Sequence, residues 1–374
     1  MSIQKDLKKE GIEVINKLDT LISNDICKSV SRRIIETFPD YDFSEEQIYN
    51  KLQEITMYRA KMIEGMSEAN YYYKDSSIYF NENIEYSDLE EFAIHECIHH
   101  LQKIQDENGT LLRLGLCSYN NLKPTALAIN EAAVQYTSCM IIGIEPDYEK
   151  YYGISLYTPS PSYYPLECSL INQIVFFTGK DVLFKSTLSS TDEFKNKIIE
   201  MTSENIYKKI ITTFDKILHC EEKVVFLNNK MLSLEDGSPK INKITLKIES
   251  LKNIILNNYI KVQNIIIKEF FEYEISNISS IEDIENCKQK LSKFGEIIGI
   301  VDNYTFFDNY YIEAMNRLEH KRNILQNGGT ETALNVKHIN IFKILFEKIF
   351  KFYTKKNKED FQKCTEPKKL DSIN

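Results

Sequence analysis

Two histidines four residues apart, with a glutamate beside the first, constrain this chain more than any other feature. They lie in residues 84–105, IEYSDLEEFAIHECIHHLQKIQ, as His95-Glu96-Cys97-Ile98-His99. Positions i and i+4 of an α-helix stack on one face. On a helix, His95 and His99 therefore aim both rings at one point, with Glu96 beside them. Two neutral imidazoles begin a zinc site. A carboxylate next to them stands where a general base must be to take a proton from metal-bound water. The helix has support of its own. Ser87-Asp88-Leu89-Glu90 reads as a capping box, with Ser87 as N-cap and Glu90 at N3. Asp88, Glu90 and Glu91 place negative charge where the helix dipole favours it. Leu89, Phe92, Ala93, Cys97, Leu101 and Ile104 recur at helical spacing, and Asn108-Gly109 supplies a stop.

A buried carboxylate further along completes the candidate metal set. Glu131 lies in PTALAINEAAVQY, residues 124–136. The segment is helical by composition, with Pro124 near its first turn and Gly143 just past its end. Its small and apolar residues predict burial, and a buried carboxylate needs a cationic partner, a metal or a basic side chain. Glu167, at the start of a helix expected over 166–178 and closed by Gly179, is the rival ligand; its position also suits the helix dipole.

His95-Glu96-Cys97-Ile98-His99 resembles the active-site helix of the zincin metallopeptidases. Residues 101–105 hold neither a glycine nor a third histidine, which speaks against the metzincin subgroup. The resemblance is to the gluzincins, which take a glutamate from a second helix. Asn130-Glu131 resembles the Asn-Glu that opens the third-ligand motif of thermolysin-like gluzincins. In that family an aspartate one turn later orients a histidine ligand. Gln135 holds that position here, and its amide oxygen can accept from an imidazole N–H. The resemblance covers residues 71–143. It implies zinc on His95, His99 and Glu131, and Glu96 as the general base of peptide-bond hydrolysis. It also implies that an edge strand at 78–81 binds extended peptide by backbone pairing; a hairpin that only packs on the helix is the alternative. Gluzincins commonly use a Tyr, His or Arg to stabilise the oxyanion, and Tyr157, Tyr163 and Tyr164 are the candidates. The expected function is a zinc-dependent peptidase acting on peptide or protein. The alternatives are an inactive zincin-like binding or scaffold protein working through its helical C-terminal part, and an effector peptidase that cleaves one partner.

The rest of the chain predicts a mostly α protein with a small β-hairpin or sheet (α+β), a zincin-like core flanked by helical regions. Residues 1–70 read as a helical region. Ile12, Ile15, Leu18, Leu21 and Ile22 recur at helical spacing, Phe38-Pro39-Asp40 breaks the pattern, and a capping box from Ser44 opens a helix to about Met66. The core spans 71–190. It begins with a hairpin over 70–81, has a loop or short helix at 110–123, and carries an irregular stretch with four prolines at 145–165. A C-terminal helical domain follows over 191–355, with a break at 235–239, a long amphipathic helix over 240–273, and further helices at 281–299, 305–326 and, after Gly328-Gly329, 339–353. Residues 356–374 form a polar tail. His219, His320 and His338 stand at no ligand spacing. His100 points about a hundred degrees away from His99 and is not read as a ligand.

The net charge of −9 argues against nucleic acid as a partner. The eight cysteines include no C-x-x-C pair, which excludes a disulfide framework or a cysteine zinc site. Cys97, between Phe92 and Leu101, reads as a packing residue. The charged N-terminus lacks the apolar stretch of a signal peptide, and no apolar run is long enough for a membrane span. These features predict a cytoplasmic protein without a membrane partner, with export by another route left open. Oligomeric state is not legible.

Overall fold

A four-stranded sheet and the helix that follows it position the histidines. The computed structural model describes residues 3–9, 11–63, 68–120, 123–235 and 238–327. The helix expected at 339–353, Gly328-Gly329, His338, Cys364 and the tail at 356–374 lie outside these residues. The chain opens with α1 (Ile3–Lys9), β1 (Ile12–Lys17), α2 (Thr20–Thr37), α3 (Glu45–Leu52), β2 (Thr56–Met62), β3 (Ala69–Tyr72) and β4 (Ser77–Asn81). The sheet order is β1-β2-β4-β3, with β2 and β4 parallel and the other pairs antiparallel. Ile78, Tyr79 and Phe80 of β4 are buried in succession, as an interior strand requires.

This arrangement corrects two expectations. Residues 1–70 are not a helical lobe, because they supply two of the sheet's four strands. Ser44 caps α3 as expected, accepting from Gln47 N at 3.4 Å, but the helix ends at Leu52 rather than near Met66. Pairing of β2 with both neighbours outweighs the local helical tendency. The hairpin at 70–81 is present, but β4 has β2 on its far side. The sheet edge beside the histidine helix is therefore β3, not residues 78–81.

Next come α4 (Leu89–Gln102), β5 (Lys103–Gln105), β6 (Leu111–Leu114), β7 (Cys117–Asn120), β8 (Lys123–Thr125) and α5 (Leu127–Ile142). The capping box at Ser87 does not form. Asp88 is the N-cap without a side-chain bond, and the Ser87 hydroxyl instead donates to the Asp88 carboxylate at 2.7 Å. Asn108-Gly109 does not stop α4. It turns the β5–β6 hairpin, where the Asp106 carboxylate accepts from the amides of Asn108 and Thr110. In place of a loop or short helix, β6, β7 and β8 join β5 in a sheet ordered β5-β6-β7-β8, and Pro124 belongs to β8 rather than to a helix. Gly143, at φ +87, closes α5 as expected.

The stretch at 145–165 holds an antiparallel hairpin, β9 (Asp147–Tyr151) and β10 (Ile154–Thr158). Helices α6 (Pro165–Thr178), α7 (Lys180–Ser189), α8 (Glu193–Met201), α9 (Glu204–Leu232), α10 (Pro239–Ser276), α11 (Ile281–Phe294) and α12 (Phe306–Gln326) complete the described chain. The protein is thus mostly helical with small sheets. Residues Met1–Leu318 form one compact unit. One apolar core runs from Leu18 through α4, α5 and α6 to α9, α10 and Leu318, so the boundaries expected at 70 and 190 do not divide it. The second unit, Glu319–Asn374, is described only over residues 319–327. Among the described residues no helix is long and apolar enough to cross a membrane.

Candidate metal centre

Helical spacing on α4 stacks His95 over His99, with ring centroids 4.8 Å apart and the two Nε2 atoms 3.0 Å apart. α5 brings Glu131 to them. Its Oε2 lies 3.4 Å from His95 Nε2 and 3.4 Å from His99 Nε2. Among the described residues these three form the one cluster of His, Cys, Asp or Glu side chains arranged to share a metal ion. A tetrahedral zinc with ligand bonds of about 2.0–2.1 Å separates its ligand atoms by roughly 3.3 Å. The triangle of two nitrogens and one oxygen fits that ion, and so does the donor chemistry.

The orientation of His95 follows from a chain of bonds. The Ser160 hydroxyl donates to Tyr163 O at 2.6 Å, so its lone pair is free to accept from Gln135 Nε2 at 3.0 Å. That fixes the Gln135 amide with its oxygen toward His95, 2.9 Å from Nδ1. An amide oxygen only accepts, so Nδ1 carries the proton and Nε2 presents a bare lone pair to the cluster. Gln135 thus occupies the orienting position expected of it.

Charge within the cluster is tightly balanced. Burial pushes the Glu131 carboxyl up, but the His99 charge and the hydrogen bond from His99 hold it well below the usual carboxylate range. Burial lowers His99, and the Glu131 charge more than reverses this, raising it to about 9. A metal ion shared by the three would take the place of the proton that Glu131 holds on His99.

No protein-family model, curated protein or solved structure matches this chain. The chemistry of the site is therefore read from its own side chains.

Glu96 lies on the face of α4 toward β3, and its Oε2 accepts from the Tyr71 backbone N–H at 2.7 Å. Tyr164 stacks against His95, with centroids 6.3 Å apart and planes 22° apart. Burial, then the charges of Glu131 and Glu96, push its phenol well up, which keeps it a neutral O–H donor. Burial, then the Glu68 carboxylate just before β3, push the Tyr163 phenol up. Tyr157 packs against Tyr148 in the β9–β10 hairpin, with centroids 5.1 Å apart and planes tilted by 55°, and is not brought to the histidines. Glu167 is not brought there either. It is fully buried on the first turn of α6 against Glu221 of α9, and burial raises its carboxyl. Cys97 is fully buried, and burial pushes its thiol well up, in keeping with packing.

Three contributors escaped sequence reasoning. Ser160 and the Tyr71 amide act across chain separations that leave no local pattern. Asp215 of α9 accepts from Ala128 N at 2.9 Å and Ala126 N at 3.2 Å, capping α5 where the N-cap residue, Ala126 at φ +65, offers no side-chain bond.

Proposed function

We propose that this chain is a zinc-dependent peptidase of the gluzincin type, with a zincin-like core formed by β1–β4, α4 and α5. One observation carries the reading: the Glu131 oxygen stands at equal distance from two imidazole nitrogens, one of them held in the ligand tautomer by Gln135. His95, His99 and Glu131 would hold the ion. Zinc bound there supplies a Lewis acid that acidifies water and polarises a carbonyl. Glu96 takes the proton of the attacking water on its carboxylate and passes it to the leaving amine. Tyr164, stacked against His95, is the donor to charge developing on the substrate carbonyl oxygen.

The alternative, an inactive scaffold, finds no support at the cluster, because the proton-transfer residue Glu96 is retained beside it. Replacing Glu96 with Gln tests the reading. The variant is expected to retain one zinc per chain and to lose about 10²–10⁴-fold in turnover on a mixed peptide substrate. Wild-type turnover in that variant contradicts the assignment.

A further inference from the structure

His100 is fully buried next to His99, yet neither of its nitrogens faces the metal cluster. Nε2 lies 2.9 Å from the Lys51 carbonyl oxygen, with the Glu54 carboxylate at 3.7 Å. A carbonyl only accepts, so Nε2 carries the proton. Nδ1 is then an acceptor, and the Tyr71 hydroxyl, 2.9 Å away, donates to it. The two rings meet edge to face, 5.6 Å apart. Ser76 lies near the same phenol, and its hydroxyl accepts from Lys103 Nζ at 2.6 Å. Both His100 nitrogens and the Tyr71 hydroxyl proton therefore have a defined direction.

Glu96 and His100 are four residues apart on α4 and so share one face. Tyr71 engages both, giving its backbone N–H to Glu96 Oε2 at 2.7 Å and its hydroxyl to His100 Nδ1. β3 is an edge strand, and the Tyr71 amide points away from β4. Pairing within the sheet does not fix that amide against α4. The side-chain bond one helical turn away does.

We propose that His100 is a positioning residue. Through the Tyr71 hydroxyl it clamps the β3 edge onto α4, so that the Tyr71 amide holds one oxygen of Glu96 and leaves the other for proton transfer. The proposal rests on the peptidase reading for its catalytic consequence, but the clamp itself can be observed without turnover.

The test uses the full chain loaded with zinc, and the variants Tyr71→Phe, His100→Gln and His100→Asn. Tyr71→Phe removes only the hydroxyl. It is expected to lower kcat about tenfold or more, as loss of a supporting bond at a metal site does, with KM and zinc content little changed. Gln keeps a donor near the Nε2 position, whereas Asn keeps an acceptor near Nδ1. His100→Gln is therefore expected to match Tyr71→Phe, His100→Asn to lose less, and the Tyr71→Phe/His100→Gln double variant to be no worse than either single one. Amide hydrogen exchange gives the independent readout. Exchange at residue 71 should accelerate in Tyr71→Phe and His100→Gln, while the amides of Asn70 and Tyr72, which face β4, stay protected. Wild-type exchange at residue 71 in Tyr71→Phe overturns the clamp, whatever the activity. An inactive zinc-loaded wild type overturns the peptidase reading instead, and exchange then decides the clamp alone.

Discussion

The Gln135 amide oxygen sits 2.9 Å from His95 Nδ1, and Ser160 determines which end of the amide faces the ring. Replacing Gln135 with Leu keeps similar bulk and removes the acceptor. The variant should bind zinc about 10–100-fold more weakly, read by competition with a chelator. Unchanged affinity would mean that His95 does not depend on this bond. Gln135 was legible because it follows Glu131 by four positions on a helix. Ser160 was not, because its bond to Gln135 spans 25 residues and a turn with no helical or strand period. The tyrosines make the same point. Composition offers many phenols near the right segment, but only packing against His95 separates Tyr164 from Tyr157.

Among the elements, α5 carries Glu131 and takes its N-terminal cap from α9. Burial pushes the Asp215 carboxyl up and the α5 amides oppose this, so the cap works against a desolvation cost. Asp215→Ala should destabilise the chain by about 1–2 kcal/mol in denaturant titration, the range for loss of a capping side chain. A variant as stable as wild type would show that the freed amides find other partners. Helices with side-chain caps or closing glycines, such as α3 at its start and α5 and α6 at their ends, were visible in the sequence. The strands at Ile12–Lys17 and Thr56–Met62 were not. Each is short, and its conformation is set by partners across the sheet rather than by its own period.

At the scale of the whole molecule, the core is continuous from the first sheet to α12, and composition carries no sign of that continuity. Boundaries drawn from local breaks at 70 and 190 therefore cut through one packed unit. α10 and α12 are joined by Arg317, whose Nη2 lies 2.7 Å from Glu272 Oε2. Hydrogen bonding from Arg317, against burial, holds the Glu272 carboxyl below its ordinary value of 4.5. A depressed folded-state pKa adds stability above the unfolded value, and that stability is lost as pH falls through the folded value. Wild type should therefore lose melting temperature faster than Arg317→Gln as the pH drops below 4.5. Because the pair is partly exposed, the difference should be small and should shrink with salt. Parallel curves would show that the pair contributes nothing.

The central claim is that two imidazoles and one carboxylate from α4 and α5 hold a single zinc ion. X-ray absorption at the zinc edge, on the full chain loaded with one equivalent, tests it most directly. The expected spectrum has two imidazole nitrogens and oxygen donors at about 2.0–2.1 Å, and Glu131→Ala removes one of the oxygens. A sulfur shell near 2.3 Å, or a spectrum unchanged by Glu131→Ala, would contradict it.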